Sequence, residues 1–254
     1  MQTLKLPSGL EIGYLGPDLS AGPLPAVFYF ALSAEESLDK DPFNQPAVYL
    51  SKLPMRIFSL TLPGHGPDLP ATQAMFLWAQ ALSCNHNIIK ECIDQIEAVV
   101  ETLIHLDLVI AEKIGVMGLS RGAFIAFHAA ARIPLLRHIV GFAPLTKLSS
   151  IKEFQSLTHN TLVQSLDLTR LIESLADRTI LCTIGNLDTR VGTRHCFDFI
   201  EELAQAALEK KIRSPQIEMI ITPSIGFQGH GTSKEIFHQG AHFLAHLLGA
   251  IDVL

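Results

Sequence analysis

Lys113-Ile114-Gly115-Val116-Met117-Gly118-Leu119-Ser120-Arg121-Gly122-Ala123-Phe124 decides how this chain is read. An apolar run with the look of a buried strand ends on Gly-Leu-Ser-Arg-Gly and passes directly into an alanine-rich stretch, 121–132, that suits a helix lying close on a sheet. A serine between glycines at such a strand-to-helix junction has the form of a nucleophile elbow. The turn imposes sparsely populated backbone angles on the serine, and glycines beside it remove the Cβ atoms that would crowd it. The expected result is a Ser120 hydroxyl lifted above the strand ends. The Arg121 N–H, at the start of the helix, would then face an oxyanion developing on a bound carbonyl.

The surroundings alternate in the same way. Residues 3–15 read as a hairpin about Pro7-Ser8-Gly9, and 26–32 is a continuous apolar run of the kind covered on both faces. A polar loop is expected over 33–38 and a short helix within 41–53. The strand 56–62 leads into a tight turn, Pro63-Gly64-His65-Gly66-Pro67, and 70–83 is apolar without a decisive period. Ile88, Ile89, Cys92, Ile93, Ile96, Val99, Val100 and Leu103 recur at helical spacing, which predicts an amphipathic helix over 87–106. Strands follow at 137–142, 178–185 and 216–222, with helices at 196–211 and 233–248. Alternation of this kind predicts an α/β fold, a doubly wound and mostly parallel sheet of about seven to eight strands with helices on both faces. One domain over 1–254 is expected, with 146–177, a mixture of short helices and loops, as a minimal lid at most.

Composition narrows the class. Of 254 residues, 48% are hydrophobic and 17% charged, which fits a globular chain with a large core. A net charge of −6 argues against a nucleic-acid partner, which calls for a basic surface. The mean hydropathy of +0.31 is high, as buried parallel strands require. No run reaches the roughly 18 apolar residues of a membrane span. The first residues lack a signal-peptide core, and Cys84, Cys92, Cys182 and Cys196 show no metal-site or disulfide spacing. A cytoplasmic protein is expected; oligomeric state is not readable.

Serine at neutral pH needs a base, and the base an orienting acid. In an open α/β sheet such groups gather beyond the carboxyl ends of strands. Asp188 lies three residues past the strand ending at Gly185, and His230 lies in the glycine-rich loop after the last strand. Each competes with a bland reading, a solvated turn aspartate and an exposed loop histidine. Asp167 and Asp177 precede their strand and are poorer candidates. His238, His242 and His246 recur every four residues on the final helix. Without a neighbouring Glu in H-E-x-x-H form they read as a polar face, not as metal ligands. His65 is expected to be a turn residue bordering the pocket. The second oxyanion donor is expected from the loop after the first central strand, the backbone N–H of Leu32 or Ser33. Arg121 and Arg190 lie near enough to favour an anionic acyl group, against the plainer reading of structural arginines.

The chain resembles the α/β-hydrolase superfamily along nearly its whole length. The residues that carry the resemblance are Leu62-Pro63-Gly64-His65-Gly66, Gly118-Leu119-Ser120-Arg121-Gly122, Phe142-Ala143-Pro144, the loop Gly185-Asn186-Leu187-Asp188-Thr189-Arg190-Val191, and Pro223-Ser224 through Gly229-His230. Within the superfamily it is similar to the compact esterases related to dienelactone hydrolases and to the catalytic domains of prolyl oligopeptidases. It departs from many members in carrying Ala31-Leu32-Ser33 where they have His-Gly, and in a longer histidine loop. The resemblance implies a nucleophile at Ser120, an acid at Asp188, a base at His230 and no cofactor or metal. The function expected is a serine hydrolase acting on a small ester or thioester. A peptidase or amidase, an acyltransferase with the same triad, and a non-catalytic binding protein are the alternatives.

Overall fold

A computed structural model describes residues 1–66 and 69–251. Its strands are β1 (Gln2–Lys5), β2 (Glu11–Leu15), β3 (Leu24–Phe30), β4 (Arg56–Ser59), β5 (Val109–Leu119), β6 (His138–Phe142), β7 (Thr179–Gly185) and β8 (Ile217–Thr222). They form one eight-stranded sheet in the order β1-β2-β4-β3-β5-β6-β7-β8. The β1–β2 and β2–β4 pairings are antiparallel and the others parallel. This is the architecture expected from the alternating pattern, with the elbow strand β5 in the interior of the sheet. β3, which pairs with it, is buried at every residue but its first, as a continuous apolar run covered on both faces must be.

The helices are α1 (Ala34–Asp39), α2 (Gln45–Leu50), α3 (Ala74–Ser83), α4 (Ile88–His105), α5 (Arg121–Arg132), α6 (Thr161–Ser165), α7 (Ile172–Leu175), α8 (Thr193–Glu209) and α9 (Lys234–Leu247). On one face of the sheet Trp78, Ile96, Phe124 and Phe199 bring α3, α4, α5 and α8 into a single core. On the other, Leu38, Leu50, Phe237 and Leu244 do the same for α1, α2 and α9. Among the described residues no helix is long and apolar enough to cross a membrane. Arg56, at the start of β4, is fully buried, which a guanidinium tolerates only with its donors satisfied. It donates to the carbonyls of Pro17, Asp18, Gly22 and Leu108, tying the loop before β3 to the loop before β5.

One sequence expectation changes and two stretches gain detail. Residues 33–38 are not a loop: Ser33 caps α1, its Oγ accepting from the Glu36 N–H at 3.0 Å while the Glu36 carboxylate faces the Ser33 N–H. This Ser-x-x-Glu capping box outweighs the polarity of the segment. The undecided stretch 70–83 becomes a short 3-10 turn followed by α3. Residues 146–177 are indeed short helices and turns, yet Leu148, Phe154, Val163, Leu168 and Leu175 are buried in the main core. Pro67, placed in the turn after the 56–62 strand, lies outside the described residues.

The elbow is set by a close backbone approach. A Cβ on Gly122 would lie 1.9 Å from the Phe30 carbonyl oxygen, and one on Gly118 would lie 2.3 Å from the Gly122 carbonyl carbon. Neither glycine has a positive φ; each is required because a main chain occupies the space a side chain would take. Gly122→Ala therefore pushes α5 off the end of β3. Urea unfolding should show a loss of about 2–3 kcal/mol, the cost of overpacking a site that cannot relax. An unchanged midpoint would contradict this packing.

Candidate active site

Ser120 is the sole residue between β5 and α5, at φ 56° and ψ −114°. A non-glycine residue at positive φ is strained, and the strain is held by the backbone around it. The Ser120 N–H donates to Phe142 O at 2.8 Å, and its carbonyl accepts from Phe124 and Leu145, each at 3.2 Å. The end of β6 and the first turn of α5 thus grip the residue from both sides. Its hydroxyl is left over the carboxyl ends of the strands.

His230 and Asp188 meet it there. The loop after β8 makes a 3-10 turn at Phe227–Gly229 and returns through His230, whose N–H donates to Phe227 O at 3.1 Å. Gly229, at φ 72°, passes so close to the loop after β7 that a Cβ would lie 2.2 Å from Leu187 O. The extra residues of this loop grip the acid loop: Gln228 O accepts from the Thr189 N–H at 2.9 Å and from its hydroxyl at 3.1 Å. His230 Nε2 stands 2.8 Å from Ser120 Oγ, and His230 Nδ1 stands 2.7 Å from Asp188 Oδ2.

Asp188 is held more firmly than a turn residue needs to be. Its side chain is buried, and Oδ1 accepts the N–H groups of Arg190 at 2.9 Å and Val191 at 3.1 Å. Its own N–H donates to Thr193 Oγ1, whose hydroxyl donates in turn to Gly185 O. These bonds leave Oδ2 for the imidazole. The Arg190 guanidinium forms a two-pronged pair with Glu153, both bonds 2.9 Å. That pair joins the acid loop to the 146–177 segment. Arg190 is thus engaged in a structural ion pair.

Ser120, Arg121 and His230 open into a cavity of about 240 Å³ whose apolar walls include Leu32, Phe43, Ala71 and Leu119. Phe43 comes from the chain before α2, and Ala71 and Thr72 from the turn before α3; among the described residues 145–177 supplies no wall residue. The Arg121 side chain donates to Ala71 O at 3.0 Å and to His65 Nε2 at 3.2 Å. Burial, and the guanidinium beside it, lower the His65 pKa to about 4, so the ring is neutral and Nε2 is free to accept. Burial and the nearby Arg190 charge bring Arg121 down to about 10, still a cation at neutral pH. His65 is thus a buried prop for Arg121, more than a turn residue at the rim.

The backbone donors are distributed unevenly. The Arg121 N–H is at the first turn of α5, beside Ser120. Leu32 lines the cavity and Ser33 does not. The Ser33 N–H faces Glu36 Oε2 at 3.5 Å, while the Leu32 N–H donates to Ser37 Oγ at 3.1 Å. His238 and His242 lie against Tyr49 of α2, whose hydroxyl is 3.0 Å from His242 Nδ1, while His246 is exposed. No group of three or more His, Cys, Asp or Glu side chains fit to hold a metal is found among the described residues. Sequence reasoning missed Ser37, Thr193, Glu153 and Gln228. Only Ser37 had a local signal, its place in the first turns of the helix that Ser33-x-x-Glu36 announces.

Comparison with known proteins bears on the fold and the family. Structures similar to the chain include TT1662 from Thermus thermophilus, at 16% identity and a TM-score of 0.74 over 98% of both chains. An S-formylglutathione hydrolase from Agrobacterium tumefaciens matches at 15% identity and a TM-score of 0.61, over 99% of this chain and 94% of its own. Dipeptidyl peptidase 4 from Porphyromonas gingivalis matches at 16% identity and a TM-score of 0.66, over 96% of this chain and 34% of its own. At such identities the likeness is one of fold, the α/β-hydrolase fold. A search of curated proteins found no match to the sequence. The model of the dienelactone hydrolase family matches residues 71–214, which include the elbow and the acid loop. Because that match spans more than half of its 254 residues, the chain belongs to the dienelactone hydrolase family.

Proposed function

We propose that the protein is a serine hydrolase that cleaves a small carboxylic ester or thioester through an acyl-enzyme on Ser120. The observation that carries the proposal is the unbroken line of hydrogen bonds Ser120 Oγ–His230 Nε2–His230 Nδ1–Asp188 Oδ2, at 2.8 and 2.7 Å. His230 takes the Ser120 proton as Oγ attacks the carbonyl carbon. Asp188 fixes the ring with its proton on Nδ1, so that Nε2 is the accepting nitrogen, and balances the imidazolium that forms. The N–H groups of Arg121 and Leu32 stabilise the tetrahedral oxyanion. Collapse expels the alcohol or thiol, which receives the proton from His230. A water molecule, deprotonated by the same ring, then releases the acid.

The size of the cavity favours a small acyl group: about 240 Å³ is below the range of roughly 300–1,000 Å³ usual for drug-sized ligands. The solved relatives named as an S-formylglutathione hydrolase and a dipeptidyl peptidase span thioester and peptide chemistry on this fold. This chain covers only 34% of the peptidase, so the thioester and ester reading is the better match in extent. Four unpaired cysteines, three of them buried, suit a reducing compartment and a cytoplasmic enzyme.

A fluorophosphonate probe should label the intact protein and fail to label Ser120→Ala, with turnover of p-nitrophenyl acetate lost together with the label. Equal labelling of the two would rule out Ser120 as the nucleophile. Asp188→Asn tests the acid separately. An amide that keeps its oxygen toward the Arg190 and Val191 N–H groups must turn its NH2 to His230 Nδ1. That selects the tautomer with the proton on Nε2, which cannot accept from serine. kcat should fall by about 10³- to 10⁴-fold with the fold intact by circular dichroism. A loss of less than tenfold would remove Asp188 from the mechanism.

A further inference from the structure

We infer that Ser37 is a positioning residue for the oxyanion donor at Leu32. The inference rests on the hydrolase reading above and extends it to a residue outside the triad and outside the cavity wall. Ser37 lies in α1, completely buried, with its side chain turned back toward the chain that leaves β3. Its Oγ accepts the N–H groups of both Ala31 and Leu32, each at 3.1 Å, and its own hydroxyl donates to Ser33 O at 2.7 Å. One hydroxyl therefore engages three successive residues of the segment from which the second oxyanion donor must come.

Capping does not account for this hydroxyl. The N-terminus of α1 is closed by the Ser33–Glu36 capping box, and Ser37 sits one turn further along. What Ser37 does satisfy is a pair of buried amides that lack a strand partner, because β3 ends at Phe30. Without an acceptor there, the segment must turn to find others, and the Leu32 N–H turns with it. The Leu32 carbonyl is fixed separately, accepting from the Leu62 N–H at 3.1 Å, so the peptide units on both sides of the Leu32 Cα are held.

The same bond is easily given up in the transition state. At 3.1 Å it lies on the long side for N–H···O, and the acceptor is a neutral oxygen shared between two donors. A charged oxyanion in the cavity is a stronger acceptor and draws the Leu32 N–H away, leaving Ala31 on Ser37. The exchange trades a neutral bond shared between two donors for a charge-assisted bond made only when the oxyanion appears, and it is this second bond that raises kcat.

The test replaces Ser37 by Ala and by Thr and follows kcat, KM and the inhibition constant of a trifluoromethyl ketone that forms a tetrahedral adduct on serine. Thermal unfolding of each variant is measured alongside, and only folded variants enter the comparison. For Ser37→Ala we expect kcat to fall by about tenfold or more and the ketone to bind more weakly by a similar factor, while KM stays within about threefold. Ser37→Thr, which keeps the hydroxyl, recovers most of the loss. If Ser37→Ala does not fold, Ser37→Cys takes its place, since sulfur is a weak acceptor of similar size and should give the same pattern in milder form. A folded Ala or Cys variant with kcat and ketone affinity near wild type overturns the proposal. So does a loss of kcat with ketone affinity unchanged, or a Thr variant as impaired as Ala. Failure of the hydrolase reading looks different: the unmodified protein then shows neither turnover nor ketone binding.

Discussion

Between Gly122 and Phe30 there is no room for a side chain, and the rest of the site follows from that approach. With a carbonyl oxygen 1.9 Å from where a Cβ would stand, the first turn of α5 rests directly on the end of β3. β3 and β5 are parallel neighbours, with Phe30 opposite Gly118, so their carboxyl ends lie side by side. The chain leaving β5 must reverse at once into α5, which is why Ser120 takes a positive φ. The chain leaving β3 emerges beside it, which is why Leu32 borders the same cavity. One packing constraint therefore places the Ser120 hydroxyl and the Leu32 segment at the same cavity. Under the proposed mechanism a slack elbow would cost catalysis before it cost folding, since reacting groups misplaced by about 1 Å lose orders of magnitude in rate.

The other half of the site is held by loops that brace each other. Asp188 follows β7 and His230 follows β8, and these strands are parallel neighbours at one edge of the sheet. The Thr189–Gln228 bonds join the two loops, and the Arg190–Glu153 pair fastens the acid loop to the segment between β6 and β7. Loops of this kind have no ladder to fix them, so polar bonds at their tips take over that task. The histidine loop is long because part of it serves as this brace.

The legible parts of this molecule were those written in local pattern. Gly118-Leu119-Ser120-Arg121-Gly122 announces its own turn, and the alternation of strands and helices gives the sheet. Asp188 and His230 could be picked out because a parallel sheet sends its functional groups to strand ends, a rule that needs only strand positions. Ser37, His65 and Glu153 were not legible in the same way. Each matters through a partner brought near by the fold, 56 residues away for His65 and Arg121 and 37 for Glu153 and Arg190. No spacing in the sequence encodes such a contact. Helix α1 is a different case. Its capping box is a local signal, but a six-residue helix with two glutamates in its first turn is easily read as a polar loop.

An acyl group covalently bound to Ser120 is the species on which the whole account depends. Rapid mixing with an activated ester, acid quenching and mass spectrometry of the digested protein observe it directly. The acyl mass should appear on the peptide containing Ser120 within the first turnover and disappear at the rate of steady-state hydrolysis. Product formed in a first turnover with no acylated peptide, or acylation at another residue that keeps pace with turnover, would contradict the account.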